Sequence, residues 1–390
     1  MPSKNKIAII INTLVRAGAE KTVGSLINQL YPDMEIHLLM FDTTSIELTI
    51  PPGVKLYQIG KPTSADASPI QVLELPLRAF QIKKYLHKHN IQLVFSILNR
   101  PNFIAGYLKL FGYKGKTIIN ERSNASYYYT NKTLGGMLGR FLVKRLYRRA
   151  DCIITNSIFS KKDLEQTFGL KNKIITISNG INYKAMQQRM RTSQLPFEKR
   201  EGEFIFCHVG RFHPHKNQQL LLHAFAQLKH DNCRLLMIGK NIPQQFTALV
   251  NELEIAGKVN LYDLQSDILP YYAVSDAFVL CSNVEGYPNV IIEAMACGLP
   301  VISTDCKWGP REILAPETGY PENGLGQMEW AKNGILTACN DAVMLTAAME
   351  KLVVDKIKYE AYKEQMQNTL AAFDEEKTIE QFKRTIYALM

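Results

Sequence analysis

Glu285 and Glu293 flank the head of one helix in NVEGYPNVIIEAMACGLPVIST (283–304). The apolar run AFVLCS (277–282) just before it reads as a strand, so Asn283–Pro288 form a loop at that strand's carboxyl end. Pro288 is expected at the first helical position, where its missing N–H costs nothing. Backbone around Gly286, Tyr287, Pro288 and Asn289 then faces a crevice and, with the helix dipole, makes a seat for an anion. Gly286 allows close approach of the main chain. A carboxylate on either side of a bound phosphate suits hydroxyl-rich groups, because each oxygen accepts from a sugar O–H. A phosphate with a sugar on each side is a nucleotide sugar. The blander alternative is that Glu285 is a solvated loop acid and Glu293 the partner of a lysine.

A second stretch, VGRFHPHKN (209–217), bears on that choice. A strand ends at Gly210, and Arg211 and Lys216 follow in the loop before the next helix. Two cations at the carboxyl end of a strand are placed for a diphosphate: arginine forks across two oxygens and lysine acts as a point charge. Early in the chain, NTLVRAGAEK (12–21) brings Gly18 to the start of a helix beside Ala17 and Ala19, and small residues there let the backbone approach a phosphate. His208, His213 and His215 show no metal-ligand spacing.

Positioning these loops requires a parallel sheet. Apolar runs alternate with helical segments throughout: strands at 6–12, 35–41, 93–98, 115–120, 151–157 and 173–180, then at 204–210, 234–239, 259–263, 277–282 and 300–304. That alternation predicts an α/β protein of two doubly wound, Rossmann-like domains with ligand in a central cleft between them. The expected domains are 1–185 and 204–374, joined by a polar linker at 186–203, with a last helix at 375–390 free to pack on either. Neither a G-x-G-x-x-G after the first strand nor a G-x-x-x-x-G-K-[ST] is present, which argues against a dinucleotide dehydrogenase and a P-loop NTPase. The seven cysteines form no C-x-x-C pair and read as buried thiols. The first apolar run is too short for a signal peptide, which points to a cytoplasmic protein.

The motif set GRFHPHKN, EGYPNVIIEAMACGLPVIST and GPREI (309–313), with GAEK, TNSIFSKKDL (155–164) and SNGIN (178–182), resembles the retaining glycosyltransferases of family four, which have the GT-B fold. The resemblance covers nearly the whole chain. It implies that Arg211 and Lys216 neutralise the donor diphosphate, Glu293 binds the ribose and Glu285 the donor sugar's hydroxyls. It also implies that amides near Gly286–Asn289 hold phosphate while Gly18 closes on it from the other domain. Transfer would need no metal and no other cofactor. Anomeric configuration would be retained by front-face attack, the departing phosphate oxygen taking the acceptor's proton. The family's early loop is often Gly-Gly, here Ala17-Gly18. Where many members carry a histidine, this chain has NERSN (120–124), so Glu121 or Arg122 is expected to touch acceptor or donor sugar.

Charge bears on the acceptor. Residues 1–200 hold 30 Lys+Arg against 12 Asp+Glu, a net of +18, while residues 201–390 carry −8. The segment NKTLGGMLGRFLVKRLYRRA (131–150) concentrates cations after an apolar stripe, and three tyrosines (127–129) precede it. It reads either as a packed helix with a cationic last turn or as a contact with an anionic leaflet. Together these features favour a lipid-linked glycan acceptor, with the enzyme peripheral on the inner face of the membrane. Nucleic acid is not expected, since no recognition fold is visible. The expected function is therefore transfer from a nucleotide-sugar donor, a UDP-sugar such as UDP-N-acetylhexosamine, to a growing surface glycan. The alternatives are a GT-B-fold sugar-nucleotide epimerase on a soluble substrate and a non-catalytic sugar binder.

Overall fold

The computed structural model describes residues 4–15, 18–61, 72–130, 132–321 and 324–390. The chain divides into two units, Met1–Gly180 with Glu376–Met390, and Ile181–Glu375.

Unit 1 is a seven-stranded parallel sheet: β1 (Asn5–Ile11), β2 (Met34–Met40), β3 (Lys55–Gln58), β4 (Leu93–Ile97), β5 (Lys116–Glu121), β6 (Cys152–Thr155) and β7 (Ile174–Thr176), in the order β3-β2-β1-β4-β5-β6-β7. Burial on both faces explains the unbroken apolar runs. Alternate residues divide between two cores. Ala8, Ile10, Val94 and Ile119 face helices Leu75–Lys88, Asn99–Leu110 and Leu134–Leu146. Ile7, Ile9, Ile11 and Phe95 face helix Gly18–Leu30, which turns Val23, Leu26, Ile27 and Leu30 inward at helical spacing. The last helix, Glu375–Tyr387, packs on that same face through Ile379, Phe382 and Ile386, with the Phe382 ring edge-on to Phe95.

Unit 2 repeats the plan with β8 (Phe204–Val209), β9 (Cys233–Ile238), β10 (Val259–Tyr262), β11 (Ala277–Leu280), β12 (Val301–Thr304), β13 (Glu329–Ala331) and β14 (Gly334–Thr337), in the order β10-β9-β8-β11-β12-β14-β13. All pairs are parallel except β13 with β14. In each sheet the chain runs outward from a first strand and then returns to its other side. The reversal opens a crevice at the carboxyl ends of β1 and β4, and of β8 and β11.

Two expectations need correction. The boundary falls at residue 180, not 185. Part of the expected linker is helix Tyr183–Arg191, capped by the Asn182 side chain and packed on unit 2 by Tyr183, Met186 and Met190. All seven cysteines are free thiols, six of them buried.

Candidate active site

Both loops picked out in the second half of the sequence emerge at the β8/β11 reversal. β8 leads into Gly210, whose N–H donates to Ile238 O at 2.9 Å, tying the loop to β9. A Cβ placed on Gly239 would lie 2.1 Å from Gly210 O and 2.9 Å from Arg211 N, so only glycine allows this crossing. Arg211 is exposed and makes no side-chain hydrogen bond or ion pair among the described residues. Six residues on, Asn217 takes the left-handed conformation (φ 50°), and Gln218 Nε2 donates to Arg211 O at 3.0 Å, which folds the loop back on itself.

The second loop is laced to the first. Asn283 N donates to His215 O at 2.7 Å and Cys281 Sγ reaches Lys216 O at 3.2 Å. Lys216 Nζ donates to Glu285 Oε1 at 2.6 Å, and Ser282 Oγ donates to the same oxygen at 2.5 Å. The lysine side chain is 25% exposed and the glutamate 9%, so the pair sits at the boundary of solvent. The cation expected on a diphosphate and the acid expected on a sugar are thus in direct contact, and both donors hold Glu285 through the one oxygen, Oε1. Glu285 is not a solvated loop acid.

Helix Asn289–Ala296 begins one residue later than expected: Pro288 is its N-cap, with φ −75° and ψ 97°, and Asn289 occupies the first turn. The Gly286–Pro288 turn rests on Gly309, which has φ +88°. Glu293 projects from the second turn, part-buried. Beneath it lies Tyr272, wholly buried, whose Oη finds no hydrogen-bond partner among the described residues. Burial, followed by the Glu293 charge, pushes that phenol far above its ordinary range. Arg311 of GPREI is structural. Its guanidinium forks onto Asp305 at 2.6 to 3.1 Å and reaches Glu329 at 2.7 Å, both inside unit 2.

The profile described as Glycosyl transferases group 1 matches residues 191–369, and that described as Glycosyltransferase Family 4 matches residues 17–184. A Campylobacter jejuni protein named N-acetylgalactosamine-N,N'-diacetylbacillosaminyl-diphospho-undecaprenol 4-alpha-N-acetylgalactosaminyltransferase is 32% identical over 375 residues, 95% of this chain and 96% of the relative. The chain belongs to the family 4 glycosyltransferases. A second Campylobacter jejuni relative, a GalNAc-alpha-(1->4)-GalNAc-alpha-(1->3)-diNAcBac-PP-undecaprenol alpha-1,4-N-acetyl-D-galactosaminyltransferase, is 23% identical over 90% of this chain and 89% of its own. Sucrose-phosphate synthase from Thermosynechococcus elongatus superposes with a TM-score of 0.78 at 20% identity, covering 99% of this chain and 100% of that one. Anabaena HepE in complex with UDP gives 0.74 at 16% identity, over 98% and 100%. These likenesses establish the GT-B architecture expected from the sequence.

In unit 1 of this glycosyltransferase, Gly18 begins helix Gly18–Leu30 as expected, and Glu20 in its first turn is buried, its carboxyl pushed up by desolvation. Glu121 does not present itself to a ligand. It is 1% exposed, with Tyr147 Oη donating to Oε2 at 2.6 Å and Ser123 Oγ to Oε1 at 2.7 Å. The strand runs through Glu121 and turns the carboxyl inward, where burial raises its pKa. Arg122 points the other way: Nη2 donates to Thr22 Oγ1 at 3.3 Å, and Nη1 is buried without a hydrogen-bond partner among the described residues.

Sequence reasoning missed several supports. Gly239 and Gly309 matter through close approach; for Gly239 a glycine at a strand's carboxyl end was the available signal, whereas Gly309 caps helix Pro310–Leu314. His208, which reads as no more than a strand residue, is wholly buried beneath the Gly210 loop. Its Nδ1 pairs with Val279 O at 2.9 Å, which makes that nitrogen the donor and leaves Nε2 without a partner among the described residues. Burial drops its pKa from 6.5 to about 4. The unfolded chain therefore takes up this proton first as pH falls. The stabilisation is complete above pH 6.5 and is lost toward pH 4, about 3 kcal/mol in all. Denaturant unfolding of His208→Gln should show a stability-versus-pH slope shallower by that amount across this window; an unchanged slope would place the histidine's proton elsewhere.

Proposed function

We propose that this enzyme is a retaining, metal-independent glycosyltransferase that moves an N-acetylhexosamine from a UDP-sugar onto a glycan carried by a lipid diphosphate. The observation that carries the reading is the convergence of Arg211, the Lys216–Glu285 pair and the head of helix Asn289–Ala296 on one strand reversal. An exposed cation, a tethered cation and a helix N-terminus are the groups that stabilise charge on a departing diphosphate. Glu285 and Glu293 would accept from hydroxyls on its two sides, so neither acid needs to serve as a nucleophile. In a front-face reaction the leaving oxygen takes the acceptor's proton, and the protein holds donor and acceptor in reach. The sugar and the lipid are suggested by the names of the two Campylobacter jejuni relatives.

Helix Leu134–Leu146 supports a peripheral site on an anionic, cytoplasmic leaflet. Leu142 is buried in the core, but the rest of its apolar stripe is open: Leu134 is 85% exposed and Phe141 62%. Lys144 and Arg145 close its last turn and Arg148 and Arg149 follow, so apolar and cationic groups share an outward face. No helix among the described residues is long and apolar enough to cross a membrane.

The test is transfer of label. The enzyme is incubated with a bacterial membrane extract and each of several labelled nucleotide sugars. Label from a UDP-N-acetylhexosamine is expected in the organic phase, in a product whose anomeric coupling matches the donor's. Label confined to a new soluble nucleotide sugar would establish the epimerase instead.

A further inference from the structure

Part of the positive charge of residues 1–200 gathers at the end of unit 1 opposite its β1/β4 crevice. Strands β1 and β5 are each entered through a Lys-x-Lys pair, Lys4 and Lys6 in KNK and Lys114 and Lys116 in KGK. β4 lies between the two strands and is entered through Gln92. The pairs thus stand two strand spacings apart, about 9–10 Å. A hollow of about 680 Å³ is lined by all four lysines, with the amides of Asn90 and Gln92. That volume lies within the range of small-molecule sites, roughly 300–1,000 Å³. No aspartate or glutamate lines it among the described residues.

The frame of the hollow is fixed by hydrogen bonds. Tyr113 Oη donates to Ile91 O at 2.8 Å and Lys116 N to Gln92 O at 2.7 Å, which clamps the KGK turn onto the start of β4. A Cβ on Gly115 would lie 2.5 Å from Gln92 O, so only glycine permits that closeness. Lys6 Nζ donates to His89 O at 3.1 Å and Lys4 Nζ to Tyr31 O at 3.2 Å. An ammonium has three donors, so each is held in place with donors to spare for a ligand.

The acids around the hollow are already shared. Glu35 pairs with Lys55 at 2.6 Å and His37 at 2.9 Å, and lies 3.7 Å from Lys6. Asp151 serves Lys109 at 3.1 Å and Lys116 at 3.3 Å. Lys4 and Lys114 are exposed and form no ion pair among the described residues. Two positive charges are left over, which a dianion matches. No arginine lines the hollow among the described residues, so the planar fork that fits a carboxylate is missing. Lysine is a point charge and suits a tetrahedral phosphate. We propose that the hollow binds a terminal phosphate, a phosphomonoester or diphosphate carried by a soluble metabolite or a lipid headgroup, as a second anion site made from unit 1 alone.

Inorganic pyrophosphate is the probe, titrated calorimetrically into the full chain carrying Arg211→Gln and Lys216→Gln, so that the β8/β11 reversal does not report. At about 0.15 M salt, where scattered surface charges are largely screened, it should bind with one-to-one stoichiometry. Adding Lys4→Gln and Lys114→Gln should weaken it at least about tenfold while the thermal midpoint holds. Lys171→Gln with Lys173→Gln, at two exposed lysines outside the hollow, should change it less than about twofold. The absence of saturable binding, an equal loss in both pairs, or an indifferent Lys4 and Lys114 pair overturns the proposal. Vesicles then identify the source. Capture by phosphatidic acid, a monoester, in preference to phosphatidylglycerol and lost with Lys4→Gln and Lys114→Gln, assigns the phosphate to a lipid. Pyrophosphate binding without that capture assigns it to a soluble ligand. Capture by both lipids alike, weakened by the same two substitutions, reports bulk surface charge and overturns the site.

Discussion

Replacing Lys216 with alanine is expected to lower kcat/KM by about 10²–10³-fold, equivalent to roughly 2.7–4 kcal/mol of barrier. Two losses coincide at this residue. One is the positive charge offered to the departing diphosphate. The other is the 2.6 Å contact that holds Glu285, a carboxylate only 9% exposed. An ammonium has three donors, and Glu285 engages one of them. The two roles separate in a double-mutant cycle with Glu285→Gln. If Lys216 merely oriented the acid, the double variant would be no worse than Glu285→Gln alone. Service to the diphosphate makes it worse by a further order of magnitude. Lys216→Arg should recover only part of the rate, because a planar fork does not reproduce a point charge at the same place. Circular dichroism and the thermal midpoint distinguish lost chemistry from lost fold, and turnover within about threefold of wild type would rule out the assignment.

Gly309→Ala is expected to cost about 2–4 kcal/mol of stability and at least tenfold in nucleotide affinity, although the residue touches no ligand in this scheme. Its φ of +88° is strained for any L side chain. A Cβ there would lie 2.4 Å from Pro288 Cδ and 2.9 Å from Gly286 O. Neither neighbour is the free end of a flexible side chain, so the Gly286–Pro288 turn must move. That turn carries the head of helix Asn289–Ala296 and follows Glu285 directly. A shift of about 1 Å at such a place is enough to cost on the order of 10²-fold in rate. Urea unfolding and a nucleotide titration on the same preparation measure both effects. Wild-type values in both would show that the turn does not depend on Gly309.

The architecture was legible because strands buried on both faces write themselves as unbroken apolar runs: KIAIII, EIHLLM and AFVLCS each mark a strand to within a residue or two. Three of the elements that escaped have a physical cause. Strand Lys55–Gln58 lies at a sheet edge and is half polar, and Glu329–Ala331 is another edge strand of only three residues. Helix Tyr183–Arg191 has no fully buried residue and reads as a polar linker. At the site, residue types and loop positions were readable, but pairings across the chain were not. Lys216 meets Glu285 across 69 positions. Glu121 reads as a ligand contact because its segment, NERSN, stands where many members of the family carry a histidine, whereas its partner Tyr147, 26 positions later, draws it into the core.

One titration bears most directly on the grip of a diphosphate at the β8/β11 reversal. UDP, GDP and ADP are titrated into the wild-type chain and into the double variant Arg211→Gln, Lys216→Gln, with uridine, guanosine and adenosine as controls. One nucleoside diphosphate, expected to be UDP, should bind the wild type and lose at least about 100-fold in the variant, while its nucleoside changes little between the two proteins. Equal binding of that diphosphate to both proteins would contradict the assignment of Arg211 and Lys216.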